Sequence, residues 1–243
     1  MLPSTSPAIS PAISSATPPP FCPHFCVALT GGIASGKTAV SQYWAALGVR
    51  IVDTDVIAHA LTAPGGAALP AITAQFGAAL LTPEGAMDRS AMRERVFSDA
   101  QARKQLEAIL HPMIHREAQM QGGAPLSCRE AYVAFVVPLL VGVDGQAGLW
   151  RQRVQRIAVV DCAPELQTVR LMARTKLSFA TAQTMLAAQA SRAQRLHFAN
   201  DVLGNDGDLT QLHRQAAQLH EKYTVLARGF AANAPQAQGE ALN

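Results

Sequence analysis

Aromatic residues make up only 5% of this 243-residue chain and charged residues 15%, against 49% hydrophobic. The interior must therefore be built mainly from Ala, Leu, Val and Ile. The length suits one large α/β domain, or a core with an inserted subdomain. Long apolar runs are missing too. None reaches the ~18 residues of a membrane helix, and the longest, residues 131–143, contains Tyr132 and Pro138. Cysteine is scarce, at four. Cys22, His24 and Cys26 lie close in sequence, but no second Cys/His cluster completes zinc spacing. Reduced thiols in a cytoplasmic protein are expected instead. Residues 1–23 hold no Lys or Arg, which excludes the basic start of a secretory signal and the arginines of a mitochondrial one. Rich in Ser, Pro, Ala and Thr, they read as a disordered tail. A net charge of +3 is too mild to indicate nucleic acid. No Asn-Lys-x-Asp segment occurs, so a guanine-reading GTP switch is excluded. No Asp or Glu precedes Asp53.

What is present is Gly31-Gly32-Ile33-Ala34-Ser35-Gly36-Lys37-Thr38, the pattern G-x-x-x-x-G-K-[ST]. An apolar run, residues 25–29, precedes it and reads as a buried strand; helix-compatible residues 39–47 follow. Strand, glycine-rich turn and helix form the context in which this motif binds phosphate. The start of a helix exposes unpaired N–H groups and about half a positive charge. Glycines let the backbone curl around an anion. Lys37 is expected to reach the β- and γ-phosphates, and the Thr38 hydroxyl to ligate Mg²⁺. The early absence of acids leaves that field unopposed.

Further along, residues 49–52 read as a second strand ending at Asp53-Thr54-Asp55, with a short helix over 56–62. Residues 67–121 are helical in character, punctuated at Gly77, Pro83-Glu84-Gly85 and Pro112. Ser98-Asp99-Ala100-Gln101 resembles a helix start with a capping residue and a Gln three later. Leu106, Ile109 and Leu110 give the spacing of an amphipathic face. Strands are expected at 132–137, 156–160 and 199–203. Helices are expected from Pro164 to about Arg174, over 181–192 and over 208–226. Alternating strands and helices indicate a parallel sheet covered on both faces, with the helical block inserted after the second strand.

In such a sheet, ligands sit at the carboxyl ends of the strands. The glycine-rich loop, Asp53-Thr54-Asp55 and Pro138-Leu139-Leu140 should meet there. An Asp at the end of a strand neighbouring the loop could take a proton from a hydroxyl, or hold Mg²⁺ through water. Either Asp could equally cap the helix that begins near Val56. Positive charge for a moving phosphoryl group could come from Arg170, Arg174, Lys176, Arg192 or Arg195. Arg174 and Arg192 bound an acid-poor stretch that could close as a lid.

Several segments together resemble the dephospho-coenzyme A kinase family, over about residues 26–230. The loop with its strand, residues 28–38, is one. Others are Val52-Asp53-Thr54-Asp55-Val56-Ile57-Ala58, Phe76-Gly77, Asp88-Arg89, Arg95-Val96-Phe97 and Leu106-Glu107-Ala108-Ile109-Leu110-His111-Pro112. Val137-Pro138-Leu139-Leu140, Ala187-Ala188-Gln189 and residues 201–207 complete the set. The loop alone is shared by many families; the Leu-Glu…His-Pro element together with Val-Pro-Leu-Leu and Asn-Asp-Gly is far more specific. The chain departs from the family pattern at Val141-Gly142, Thr175 and Asn200.

The resemblance implies an α/β, P-loop NTPase-type three-layer fold with a parallel sheet, an inserted helical substrate-binding domain and a helical lid. The core would span 24–63 and 124–230, the lid about 174–195, the insertion 64–123, and a flexible tail 231–243. It implies transfer of the γ-phosphoryl of ATP, with Mg²⁺, to the ribose 3′-hydroxyl of dephospho-CoA. Asp55 would be the base, with Lys37 and Arg174 assisting. ATP would lie on Gly32, Ile33, Ala34, Ser35, Gly36, Lys37, Thr38 and Ala39, with Arg174, Arg192 and Asn205. Asp55, Arg89, His111, Pro138 and Leu139 would hold the acceptor. His111 could instead cap the end of a helix. Partners would be these small molecules, with no nucleic acid or membrane, and a monomer or weak homo-oligomer is expected. Another P-loop metabolite kinase, or a nucleotide-binding protein that has lost catalysis, are the alternatives.

Overall fold

The computed structural model describes residues 21–142, 144–145 and 147–233. Five strands, β1 (Cys26–Gly31), β2 (Arg50–Asp53), β3 (Val133–Val136), β4 (Arg156–Asp161) and β5 (Asp201–Gly204), form one parallel sheet in the order β2-β3-β1-β4-β5. Every residue of β1 and β3 is buried, as parallel strands covered on both faces require. The alternation along β1 divides the core. Cys26 and Ala28 enter one apolar cluster, with Phe135, Ile157, Val159 and Trp150. Val27 and Leu29 enter the other, with Val40, Trp44, Leu212, Ala216 and Tyr223.

Helix α1 (Lys37–Ala46) and the C-terminal α10 (Leu209–Ala232) cover the second face, pinned by Trp44 Nε1 donating to the Ala216 carbonyl at 2.9 Å. Between β2 and β3 lie α2 (Thr54–Leu61), α3 (Leu69–Phe76), α4 (Arg89–Ser98) and α5 (Ala100–Gly123). The insertion has its own apolar cluster of Leu69, Ile72, Met87 and Met92, against which Leu106, Ile109 and Leu110 pack. The amphipathic spacing read from those three leucine and isoleucine positions is thus the face turned inward. After β3 come α6 (Trp150–Arg153), α7 (Pro164–Thr175), α8 (Phe179–Ala187) and α9 (Arg192–His197).

Several local expectations are corrected. Pro112 does not punctuate: α5 runs through it as one helix, so His111 caps no helix end. The cap of α5 is Asp99, which accepts the N–H groups of Gln101 and Ala102. Ser98 instead closes α4, its hydroxyl donating to the Glu94 and Arg95 carbonyls. The helix expected over 181–192 is two helices, the second begun by a capping box of Ser191 with Gln194. The tail expected over 1–23 lies outside the described residues up to residue 20. Phe21 and Cys22 belong to the core, with the Phe21 ring 5.5 Å from Phe135 and 5.6 Å from Trp150. The tail expected over 231–243 lies outside the described residues from 234 on, and α10 itself continues to Ala232. Among the described residues, no helix is long and apolar enough to cross a membrane.

Candidate active site

The glycine-rich loop leaves the carboxyl end of β1 and enters α1 at Lys37. Gly36 takes φ 107° at the helix start, and a Cβ there would stand 2.3 Å from Asn205 Nδ2. Ala34 is left-handed at φ 57°, a conformation that costs a non-glycine residue about 1–2 kcal/mol and must be held by its surroundings. Lys37 Nζ donates to the carbonyls of Gly31 and Gly32, each at 2.8 Å. Burial pulls the Lys37 amine down to about 8; Asp55 opposes that shift, while Arg195 and Arg174 add to it. Thr38 is exposed in the first turn of α1 and Ala39 is half-buried behind it.

The second strand ends in two acids with separate roles. Asp53 caps α2, its Oδ1 accepting the N–H of Asp55 at 2.8 Å and of Val56 at 3.4 Å. With Asp53 holding the turn, Asp55 stands in the first turn of α2, open to solvent. Burial against the protein, then the Asp53 charge, raise the Asp55 carboxyl; Lys37 and Arg89 pull it down. Asp55, Lys37 and Arg89 therefore share one electrostatic neighbourhood, which Arg174 and Arg195 join through Lys37. β2 is not next to β1, however. β3 lies between them, pairing Asp53 with Val136, so the acids, contrary to expectation, do not stand on the strand next to the loop's own.

The other expected residues divide. Arg89 donates to Thr62 Oγ1 at 2.8 Å, and its charge acts on Asp55. Pro138 is half-buried and Leu139 is 68% exposed just past β3, so both stand at the carboxyl end of the sheet. His111 is exposed on α5, its ring 6.4 Å from that of His115. The Arg192 guanidinium is occupied by Asp161 at the end of β4, through bonds of 2.6–3.1 Å. The Asn205 amide is committed to the loop itself, donating to the Ser35 carbonyl at 2.7 Å.

Sequence reasoning missed Gln167 and Asp161, and it singled out Gln189 and Arg195 without giving them contacts. Gln167 Nε2 donates to the Ile33 carbonyl at 2.7 Å, and Gln189 Oε1 accepts the Ile33 N–H at 2.9 Å. A Cβ on Gly32 would lie 2.2 Å from Gln167 Nε2 and 2.9 Å from Arg195 Nη2, so any other residue there would have to push these two side-chain ends aside. Asp161 was findable: it is an acid at the end of an apolar strand, the signal that marked Asp53 and Asp55. Gln167 gave none, since a polar residue on a helix ordinarily faces water.

The donor set suits a magnesium-bound triphosphate. Mg²⁺ keeps several waters and uses one or two protein groups plus phosphate oxygens. An exposed Thr38 beside the loop meets that need, and no cluster of three or more His, Cys, Asp or Glu competes among the described residues.

A parallel sheet with a phosphate loop at the end of β1, a half-buried lysine in it and a carboxylate whose charge reaches that lysine fit a P-loop phosphotransferase. The model of the dephospho-CoA kinase family matches residues 25–211. Curated relatives named dephospho-CoA kinase are 48% identical over 202 residues in Aromatoleum aromaticum, covering 83% of this chain and 95% of that protein. In Burkholderia thailandensis the match is 48% over 210 residues, covering 86% and 98%. Among solved structures, dephospho-CoA kinase from Campylobacter jejuni superposes with a TM-score of 0.59 at 26% identity, covering 84% of this chain and 98% of that one. TT1252 from Thermus thermophilus gives 0.66 at 26%, covering 82% and 97%. The chain belongs to the dephospho-CoA kinase family.

Proposed function

We infer that this enzyme, a dephospho-CoA kinase acting at the last step of coenzyme A biosynthesis, works through Asp55 and Lys37 as its central pair. The observation that supports the reading is that each of these two groups feels the other's charge at the carboxyl end of the sheet. Asp55 takes the proton of the ribose 3′-hydroxyl as that oxygen attacks the γ-phosphorus of ATP. The bond from γ-phosphorus to the β–γ bridging oxygen breaks, and ADP leaves with the electron pair. The loop of residues 32–39, through the amides its own structure leaves open, and the Lys37 ammonium hold the polyphosphate, and Arg174 faces the transferred group. Mg²⁺, when bound, neutralises charge on the β- and γ-oxygens, with Thr38 as the chain's own donor.

Arg89, Pro138 and Leu139, with His111 of α5, would hold the acceptor. Asn205 acts on ATP through the loop it supports, and Arg192 through the lid of about residues 174–195. The core over 24–63 and 124–230 and the insertion over 64–123 divide donor from acceptor. A cytoplasmic location fits both substrates.

The test follows ADP release with ATP, Mg²⁺ and a panel of acceptors. Dephospho-CoA is expected to be the strong substrate, and strong turnover of a nucleoside monophosphate with none of dephospho-CoA would overturn the reading. Asp55→Asn is expected to lower turnover by about 10²–10⁴ while ATP binding is kept. Turnover within a factor of about three of the parent would remove Asp55 as the base.

A further inference from the structure

Ile33, the third residue of the phosphate loop, is gripped from two sides by glutamine amides that come from different parts of the molecule. Gln167 belongs to α7, is 3% exposed, and bonds the Ile33 carbonyl. That bond fixes the peptide leading into left-handed Ala34. Gln189 belongs to the link between α8 and α9, is half-buried, and bonds the Ile33 N–H. Arg195 lies over Gly32 and donates through Nη1 to the carbonyl of Ala190, the residue after Gln189. The segment 189–195 is thus laid across the loop.

Arg192 fastens the far end of this segment to Asp161, and the helix before it borders a void. A cavity of about 550 Å³ lies between α7 and α8, walled by Met172, Phe179 and Leu186, with Gln167, Gln189 and Arg195 also along it. Val169 and Phe179 on its rim are 63% and 57% exposed. The turn joining α7 to α8 begins at Lys176, left-handed at φ 56°. A helix set off by a void, reached through a strained turn, depends on its polar anchors for its position.

We propose that Gln189 is a positioning residue: its bond to the Ile33 N–H ties the lid to the phosphate loop, so that water is excluded from the γ-phosphoryl group only while that tie is made. The proposal rests on the loop being the ATP site. A loosened lid lets water take the phosphoryl group in place of the acceptor hydroxyl, giving ADP and inorganic phosphate without CoA.

The experiment measures ADP and CoA separately in the same reaction, with melting temperature alongside, for the parent, Gln189→Met and Gln189→Glu. Methionine keeps the length and loses the acceptor; glutamate keeps an acceptor oxygen. Gln189→Met is expected to lower kcat/KM for ATP about tenfold, the scale of one hydrogen bond. It is also expected to release ADP in excess of CoA and to melt within about 2 °C of the parent. Gln189→Glu is expected to bring the ratio back towards one ADP per CoA. Parent-like kcat/KM and stoichiometry in Gln189→Met would overturn the proposal. So would equal damage in both variants with a lowered melting temperature, which marks a merely structural role. Lys37→Ala separates the two readings: if it keeps the parent rate, the loop is not the ATP site, whatever Gln189 does.

Discussion

Lys37 is an ammonium held where its charge is costly. Its amine sits at about 8 because burial disfavours the charged form. An anion seated on the loop favours that form, so nucleotide affinity and protonation are linked. The affinity is full below about pH 8 and falls as the free enzyme's lysine deprotonates. By that linkage, a non-hydrolysable ATP analogue with Mg²⁺ should bind about tenfold more weakly at pH 9 than at pH 7. Calorimetric titration reads this directly, and a flat profile would contradict it. Lys37→Arg should flatten the profile, because a guanidinium stays charged throughout. The loop itself was legible in the sequence, and it lies as read between β1 and α1 with Lys37 at the helix start. The division of labour between Asp53 and Asp55 was not. It depends on whether α2 begins at once, and Asp53's own capping bonds decide that.

At the scale of elements, one arginine fastens the insertion's return to the sheet. Arg50 at the start of β2 grips both oxygens of Glu130, at 2.9 and 2.7 Å, and reaches the carbonyls of Ala124 and Pro125 just past α5. The Arg50 hydrogen bonds, helped by the Ser127 N–H, hold the Glu130 carboxyl at about 2. A carboxylate so lowered contributes stability above its unfolded value of ~4.5. That contribution is lost as pH falls toward about 2. Glu130→Gln should therefore cost about 1.5–3 kcal/mol at pH 7, with the gap from the parent closing between about pH 5 and pH 2. Denaturant titrations at several pH values would check the sign, and a gap that widens in acid would refute it. Element existence was mostly readable from apolar runs, but boundaries failed where local signals competed. Pro112 removes one N–H from α5, yet α5 packs on α2, α3, α4 and β3, and that packing outweighs a loss of ~3 kcal/mol. Ser98 and Asp99 both suit a cap; α4 claims the first and α5 the second. The break at 188–191 carries no Gly or Pro, and its one signal was the Ser191/Gln194 box.

At the scale of the whole molecule, the chain closes its core at both ends. Phe21 packs on Phe135 and Trp150, and Arg153 lies 4.5 Å above its ring. Phe25 meets Tyr223 and Phe230 of α10 on the opposite face. Phe21→Ala should lower unfolding free energy by about 2–3 kcal/mol, somewhat below the cost for a fully buried ring. Activity per folded molecule should stay at the parent level, because Phe21 precedes β1, at the end of the sheet away from the loop. Thermal unfolding with an assay at 20 °C below the midpoint would check both parts (~20 °C keeps the variant folded). Sequence composition alone assigned Phe21 to a tail. A single aromatic beside prolines gives no local sign of the distant ring it will meet.

The unbroken course of α5 has a mechanical consequence. Its early residues Leu106, Ile109 and Leu110 are built into the insertion, while Ile114 and Ala118 are built into the sheet's core. About 36 Å of rod thus has one half sunk in each body. The inserted body is in effect cantilevered from the sheet, and Pro112, which leaves one backbone carbonyl without its helical partner, falls between the two halves. Any swing of that cantilever falls on the proline joint of α5 and on the thinner chain between α2 and α3.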